Sequence, residues 1–268
     1  MERAKRIDLN CDMGEGFGIY RFGEDEALLE AVTSANIACG FHAGDPSVMK
    51  RTVRLCLERG VAVGAHPGLP DLMGFGRRAM AVPADEIFDL VLYQIGALAL
   101  IAAAEGAGLA HVKPHGALYH MASGDRAVAE AVAEAAAKAS DAIGRPLMLF
   151  APPGSELAAA GGRRGLVVVR EAFADRRYAP DGSLAPRSAP GSVLAAEEAA
   201  RQALSIARDG TVTAADGGRL QIEAGTICVH GDAPGAAATA RAVRRMLEDA
   251  GIAVAPVAPE DAGARVRP

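Results

Sequence analysis

Histidines recur where short apolar segments end. His42 follows Ala35 to Cys39, His66 follows Val61 to Ala65, His115 follows Ala110 to Pro114, and His230 follows Thr226 to Val229. An imidazole titrates near neutral pH, so it can carry protons, hold a metal ion or orient a substrate. Random placement does not gather four of six histidines at equivalent points, so they read as one functional set. Lys113 is the sharper signal. The chain has only Lys5, Lys50, Lys113 and Lys138, and a lysine inside a buried strand is tolerated when it is paired or put to chemical use. Asp8, Asp12 and Glu15 are its candidate partners.

Strand side chains alternate faces, so Asp8, Asn10 and Asp12 share one face of the first strand and Ile7, Leu9 and Cys11 the other. Three polar groups in a row are costly to desolvate unless they line a wet pocket or satisfy one another. The fourth strand repeats the pattern with His111, Lys113 and His115. By the same parity Ala38, Gly40 and His42 point together, as do Ala62, Gly64 and His66, and Cys228, His230 and Asp232. Glycines flank these residues: Gly14 and Gly16 beside Glu15, Gly40 and Gly44 around His42, and Gly64 and Gly68 around His66. Turn geometry or close approach of a ligand accounts for them.

Plainer roles stand beside these. Asp45 and Asp232 precede Pro46 and Pro234 by one and two residues, where a helix-capping aspartate belongs. His111, near a strand start, fits a structural histidine, and His120 a solvated one.

Seven apolar segments read as strands: Ile7 to Cys11, Ala35 to Cys39, Val61 to Ala65, Ala110 to Pro114, Leu147 to Ala151, Leu166 to Arg170, and Thr226 to Val229. Helical stretches alternate with them: Asp45 to Gly60, Pro83 to Glu105, Asp125 to Ile143, Glu197 to Arg208, and Pro234 to Ala250. Crossover connections make such a sheet parallel with helices outside it. Polar residues end almost every strand and no Gly-x-Gly-x-x-Gly follows any of them, which favours a barrel over an open doubly wound sheet. The predicted fold is α/β, an irregular seven-stranded parallel (β/α) barrel, TIM-like, over residues 1–256. The tail 257–268 is expected to fray. The irregular stretch Phe173 to Val193 is too long for a plain connection and reads as a loop over the mouth.

The chain has 268 residues, 50% of them apolar, and a formal net charge of -5. It can bury a sizeable core. Without basic clusters interleaved with aromatics, nucleic acid and anionic membrane are disfavoured partners. No uninterrupted apolar run approaches the roughly 20 residues that span a bilayer, which points to the cytoplasm. Cys11, Cys39, Cys56 and Cys228 form no C-x-x-C pair and read as buried thiols, neither disulfides nor a structural zinc site.

Six segments resemble one family: Asp8 to Glu15 (DLNCDMGE), Asn36 to Pro46 (NIACGFHAGDP), Gly64 to Gly68 (GAHPG), Val112 to Tyr119 (VKPHGALY), Phe173 to Arg176 (FADR) and Cys228 to Asp232 (CVHGD). In this order they resemble the LamB/YcsF family over nearly the whole chain. His120, where a polar amide is expected, and Ser192, where alanine is, depart from the pattern and touch only pocket detail. The resemblance implies a barrel related to the glycoside hydrolase and deacetylase barrels. It also implies ATP-dependent opening of the lactam 5-oxo-L-proline to L-glutamate together with 5-oxoprolinase subunits B and C. ATP, with Mg²⁺, would be a co-substrate, although no Gly-x-x-x-x-Gly-Lys-Ser/Thr loop is present.

On that reading Lys113, His115, Asp12 and His66 are catalytic. Lys113 would stabilise negative charge on the lactam oxygen or a phosphoryl group, and His115 or Asp12 would act as base toward water. Asp8, Asn10, Glu15, His42, Asp45, Tyr119, Asp175, Arg176, His230 and Asp232 would bind substrate, Arg176 through a two-pronged contact with a carboxylate. Two other classes fit the residues: a metal-dependent amide or carbohydrate hydrolase acting alone, since Asp and several His at strand ends can bind a divalent ion, and a non-catalytic subunit that only holds the lactam.

Overall fold

Seven parallel strands hydrogen-bond in a closed ring in the computed structural model, which describes residues 6–232 and 234–258. Each expected segment supplies one strand. β1 (Arg6–Met13), β2 (Ser34–Ala38), β3 (Ala62–His66), β4 (Leu109–Val112), β5 (Met148–Ala151) and β6 (Val167–Phe173) pair in chain order. A two-stranded hairpin, β7 (Thr211–Thr213) with β8 (Arg219–Gln221), stands outside the ring. β9 (Thr226–Val229) then closes it: Cys228 lies in register with Phe173 on one side and Asn10 on the other. β10 (Ala253–Val254) extends the sheet beside the start of β1. The tail expected to fray lies, from residue 259 on, outside the described residues.

The crossovers form for local reasons. α1 (Asp25–Leu28) is a single turn between β1 and β2. α2 (Pro46–Arg59) starts at Asp45, whose side chain accepts from the Ser47 and Val48 amides at 2.8 and 3.0 Å, and it stops at Gly60 in the left-handed region. α3 (Ala84–Ala104) turns Ile87, Val91, Ile95 and Leu98 inward. By length and composition α3 could cross a bilayer, with mean hydropathy 2.0 over an 18-residue window, a property that scanning for uninterrupted runs misses because Gln94 interrupts it. Here it is the β3–β4 crossover. α5 (Arg126–Ile143) is the Ala-rich helix capped by Asp125, and α7 (Ala196–Asp209) and α8 (Ala236–Asp249) complete the expected set.

Two helices go beyond that set: α4 (Gly116–Gly124), which begins immediately after His115, and α6 (Glu156–Arg163), capped by Ser155. Both carry glycines, which weaken the helical signal. Apolar side chains form a large shell between strands and helices and a small plug of Met148, Phe150 and Val169 within the ring. Above that plug the interior is polar.

Candidate active site

The inward face of the barrel is built in tiers. Lowest is Asp8, 1% exposed, whose carboxylate accepts from the Thr33, Ser34 and Thr226 hydroxyls. Those three donors occupy it, so the structure places Asp8 beneath the mouth rather than at a substrate. Burial nevertheless raises its pKa. In the next tier Asn10 donates to Glu171 Oε1 at 3.0 Å and Thr226 at 2.8 Å, while Asn36 donates to Asn10 Oδ1. His111 bonds Asn36 Oδ1 through Nε2 at 2.7 Å and stacks on Phe150 at 4.0 Å. It is the structural histidine of the plainer reading. Gly64 makes room for it: a β-carbon there would meet the His111 ring at 2.1 Å.

Lys113 sits above this tier, 3% exposed, with Nζ 3.1 Å from Asp12 Oδ1 and 2.9 Å from Glu171 Oε1. Asn10 Oδ1 and Cys228 Sγ complete its surroundings at 3.2 and 3.1 Å. Burial alone would lower the ammonium pKa; the carboxylates of Asp12 and Glu171 outweigh it and hold the pKa well above the ordinary lysine value. Asp12 mirrors this: burial pushes it up, but His66 and Lys113 hold it well below the carboxylate range. Glu171 also accepts from Tyr119 Oη at 2.7 Å. Of the expected partners of Lys113, Asp12 is one; Glu15 is not, and its place is taken by Glu171.

Beside Asp12 stand three imidazoles and a carboxylate. His66 Nε2 is 3.4 Å from Asp12 Oδ2 and 2.9 Å from His115 Nδ1. His42 stacks on His115 at 3.8 Å, and Glu15 Oε1 lies 3.4 Å from His42 Nε2 and 3.5 Å from His115 Nδ1. Burial, then neighbouring imidazoles, drives the pKa of His42 well down and that of His115 to about 3. Burial, then Asp12 and Asp232, drives Glu15 well up. Glu15, His42, His66 and His115 are also the residues that could hold a metal ion; Asp12, Cys228 and His230 form a second, looser group. Gln94 of α3 fixes the loop below, accepting from the Gly68 amide and donating to the Gly68 carbonyl, both at 2.9 Å.

Across the mouth, Asp175 accepts from the His230 amide at 3.0 Å and from His230 Nδ1 at 2.9 Å, which leaves Nε2 for the cavity. Asp232 is not the helix cap that its position suggested, since α8 starts from Gly235 without a side-chain cap. It pairs instead with Arg77 and, at 3.1 Å, with Arg187, tying together three mouth loops. The 173–193 stretch folds over the opening as expected, pinned by Gln202 Nε2, which donates to the carbonyls of Phe173, Ala174 and Arg176. Arg176, 4% exposed, donates to the Ala185 carbonyl at 2.6 Å and forms no ion pair among the described residues. These groups enclose a cavity of about 240 Å³ with Lys113, Asp12, His66, His115, Arg176 and His230 on its walls.

Tyr119 also reaches that cavity. Asn10 lies a tier below it, held by Glu171, Thr226, Asn36 and Lys113, and Glu15 and His42 lie behind His66 and His115. Asp175 acts through His230. Asp45 is not brought to the cavity: it caps α2 and accepts from the Gly18 amide at 2.7 Å. Glu171, Arg77 and Arg187 belong to the site and are absent from the sequence-based set. The signal for Glu171 is parity, because a strand running on to Phe173 turns it inward with Val169. The four cysteines are buried free thiols.

The fold and this site define a parallel (β/α) barrel with a single polar cavity at the carboxyl ends of its strands, the place where barrel enzymes work. The family model described as the LamB/YcsF family matches residues 7–262, and the chain belongs to that family. Among its relatives is the A-chain component of 5-oxoprolinase from Symbiobacterium thermophilum, 57% identical over 252 residues, 94% of this chain and 95% of that one. Another is the same 5-oxoprolinase component from Bacillus subtilis, 52% identical, covering 93% of this chain and 96% of that one. The crystal structure of the lactam utilization protein from Thermus thermophilus superposes with a TM-score of 0.86 at 49% identity, covering 93% of this chain and 99% of that chain.

Proposed function

We propose that this chain is the lactam-opening component of an ATP-dependent 5-oxoprolinase, converting 5-oxo-L-proline to L-glutamate in the cytoplasm with subunits B and C as partners and ATP, with Mg²⁺, as co-substrate. The names of relatives at 52 and 57% identity support the substrate. The observation that carries the reading is the pairing, in one cavity, of a buried Arg176 lacking a carboxylate with the Lys113–Asp12 ion pair on another wall. A guanidinium so placed recognises a small acid.

A lactam carbonyl is a poor electrophile. Transfer of the terminal phosphoryl group of ATP to its oxygen leaves ADP and activates the ring carbon. Water then adds, and cleavage of the C–N bond releases the ring nitrogen as an amine and leaves an acyl phosphate. A second water yields glutamate and phosphate. In this scheme Lys113 stabilises charge on the oxygen and the phosphoryl group. Asp12, held ionised beside His66, takes the proton from water. His115 and Tyr119 shape the cavity wall, and His230, oriented by Asp175, delivers the proton to the ring nitrogen.

Calorimetric titration of the isolated chain tests the reading. Binding of 5-oxoproline that weakens in Arg176→Gln is expected. Absence of binding of both 5-oxoproline and a non-hydrolysable ATP analogue would contradict it and leave an assembly role.

A further inference from the structure

His66 Nδ1 lies 2.7 Å from the Lys113 carbonyl oxygen, and His115 Nε2 lies 2.8 Å from that of Phe75. A carbonyl only accepts, so each of these nitrogens carries its hydrogen. In the neutral rings His66 Nε2 and His115 Nδ1 are therefore both lone pairs, yet they face each other at 2.9 Å. Two lone pairs at that distance repel unless an electrophile lies against them. A shared proton would satisfy this pair and nothing else. Glu15 Oε1 and both nitrogens of His42 would stay buried without hydrogen-bond partners among the described residues.

We infer that His66 Nε2, His115 Nδ1 and Glu15 Oε1 bind a divalent transition-metal ion of the zinc class. Ligand atoms around a tetrahedral zinc with bonds of 2.0–2.1 Å stand roughly 3.3–3.4 Å apart. The Glu15 oxygen is 3.5 Å from His115 Nδ1, and the four candidate ligand atoms of the cluster all lie within 4.8 Å of one another. The carbonyls behind His66 and His115 are the outer hydrogen-bond acceptors that orient metal-bound imidazoles. His42 stands beside this set rather than in it: its ring is parallel to His115 within 3° at 3.8 Å, so an ion in the plane of one ring lies out of the plane of the other. Three protein ligands leave a coordination position free, as catalytic rather than structural sites do. His66 and His115 line the cavity, so that position opens toward it. The inference holds whatever the substrate.

The test uses the full chain without an affinity tag, stripped with a chelator and titrated with Zn²⁺ by calorimetry, with Co²⁺ absorption as an independent reading of ligand type. One ion per chain, a nitrogen- and oxygen-ligated Co²⁺ spectrum, and affinity reduced at least about tenfold in His115→Gln and Glu15→Gln but unchanged in His120→Gln are expected. A wild-type chain that takes up no Zn²⁺ or Co²⁺, or an affinity untouched in folded His115→Gln, would overturn it. Stoichiometry and spectrum need only the wild-type chain, so a variant that fails to fold does not spoil the test.

Discussion

The Lys113 ammonium lies 3.1 Å from the Asp12 carboxylate, both groups inside the barrel and below 10% exposure. Removing one partner of a buried pair strands the other charge, at a cost of about 3–5 kcal/mol. Lys113→Ala is therefore expected to lower the unfolding free energy by about that amount, read from denaturant melts, since Asp12 and Glu171 lose their shared cation. An unchanged midpoint would mean that the pair is not formed.

Arg176 is expected to set affinity for the acid and not the stability of the barrel. Arg176→Gln should weaken 5-oxoproline binding by about tenfold or more, in keeping with about 1.5–3 kcal/mol for a hydrogen bond to a charged group. Equal binding by variant and wild type would move the carboxylate elsewhere on the rim.

Gly64 and His111 occupy the same space. Gly64→Ala would bring a β-carbon to 2.1 Å from a ring clamped between Asn36 and Phe150, so a loss of about 1–3 kcal/mol is expected in chemical denaturation.

Burial pulls the His111 pKa to about 3 from 6.5. As pH falls below about 6.5, the unfolded chain takes up this proton and the folded chain does not. Stability is thus full above that value and lost on the way down to about pH 3. His111→Gln should flatten the stability curve between those limits by up to about 1.4 kcal/mol per pH unit, measured as unfolding free energy against pH. Curves of equal slope would show that His111 is not buried neutral.

The ring of strands is legible because alternation of side chains survives in the sequence: Asp8, Asn10 and Asp12 do face inward together, and so do His111 and Lys113. Contacts made across the barrel leave no such trace. Glu171 is hidden when the sixth strand is ended at Arg170, one residue short of it, and Arg77 and Arg187 lie on loops whose positions are set only by the closed fold. Gln94 carries a readable sign, a lone amide in an apolar helix. Asp45 and Asp232 show the limit of local reasoning, since near-identical settings before proline make one a cap and the other an ion-pair hub.

The most direct measurement is glutamate release from 5-oxo-L-proline by this chain mixed with its candidate subunits B and C, with and without ATP. Glutamate and ADP should appear together in equal amounts, only with ATP present, and vanish when a folded Lys113→Met chain replaces the wild type. Glutamate formed without ATP, or formed undiminished by Lys113→Met, would contradict the account.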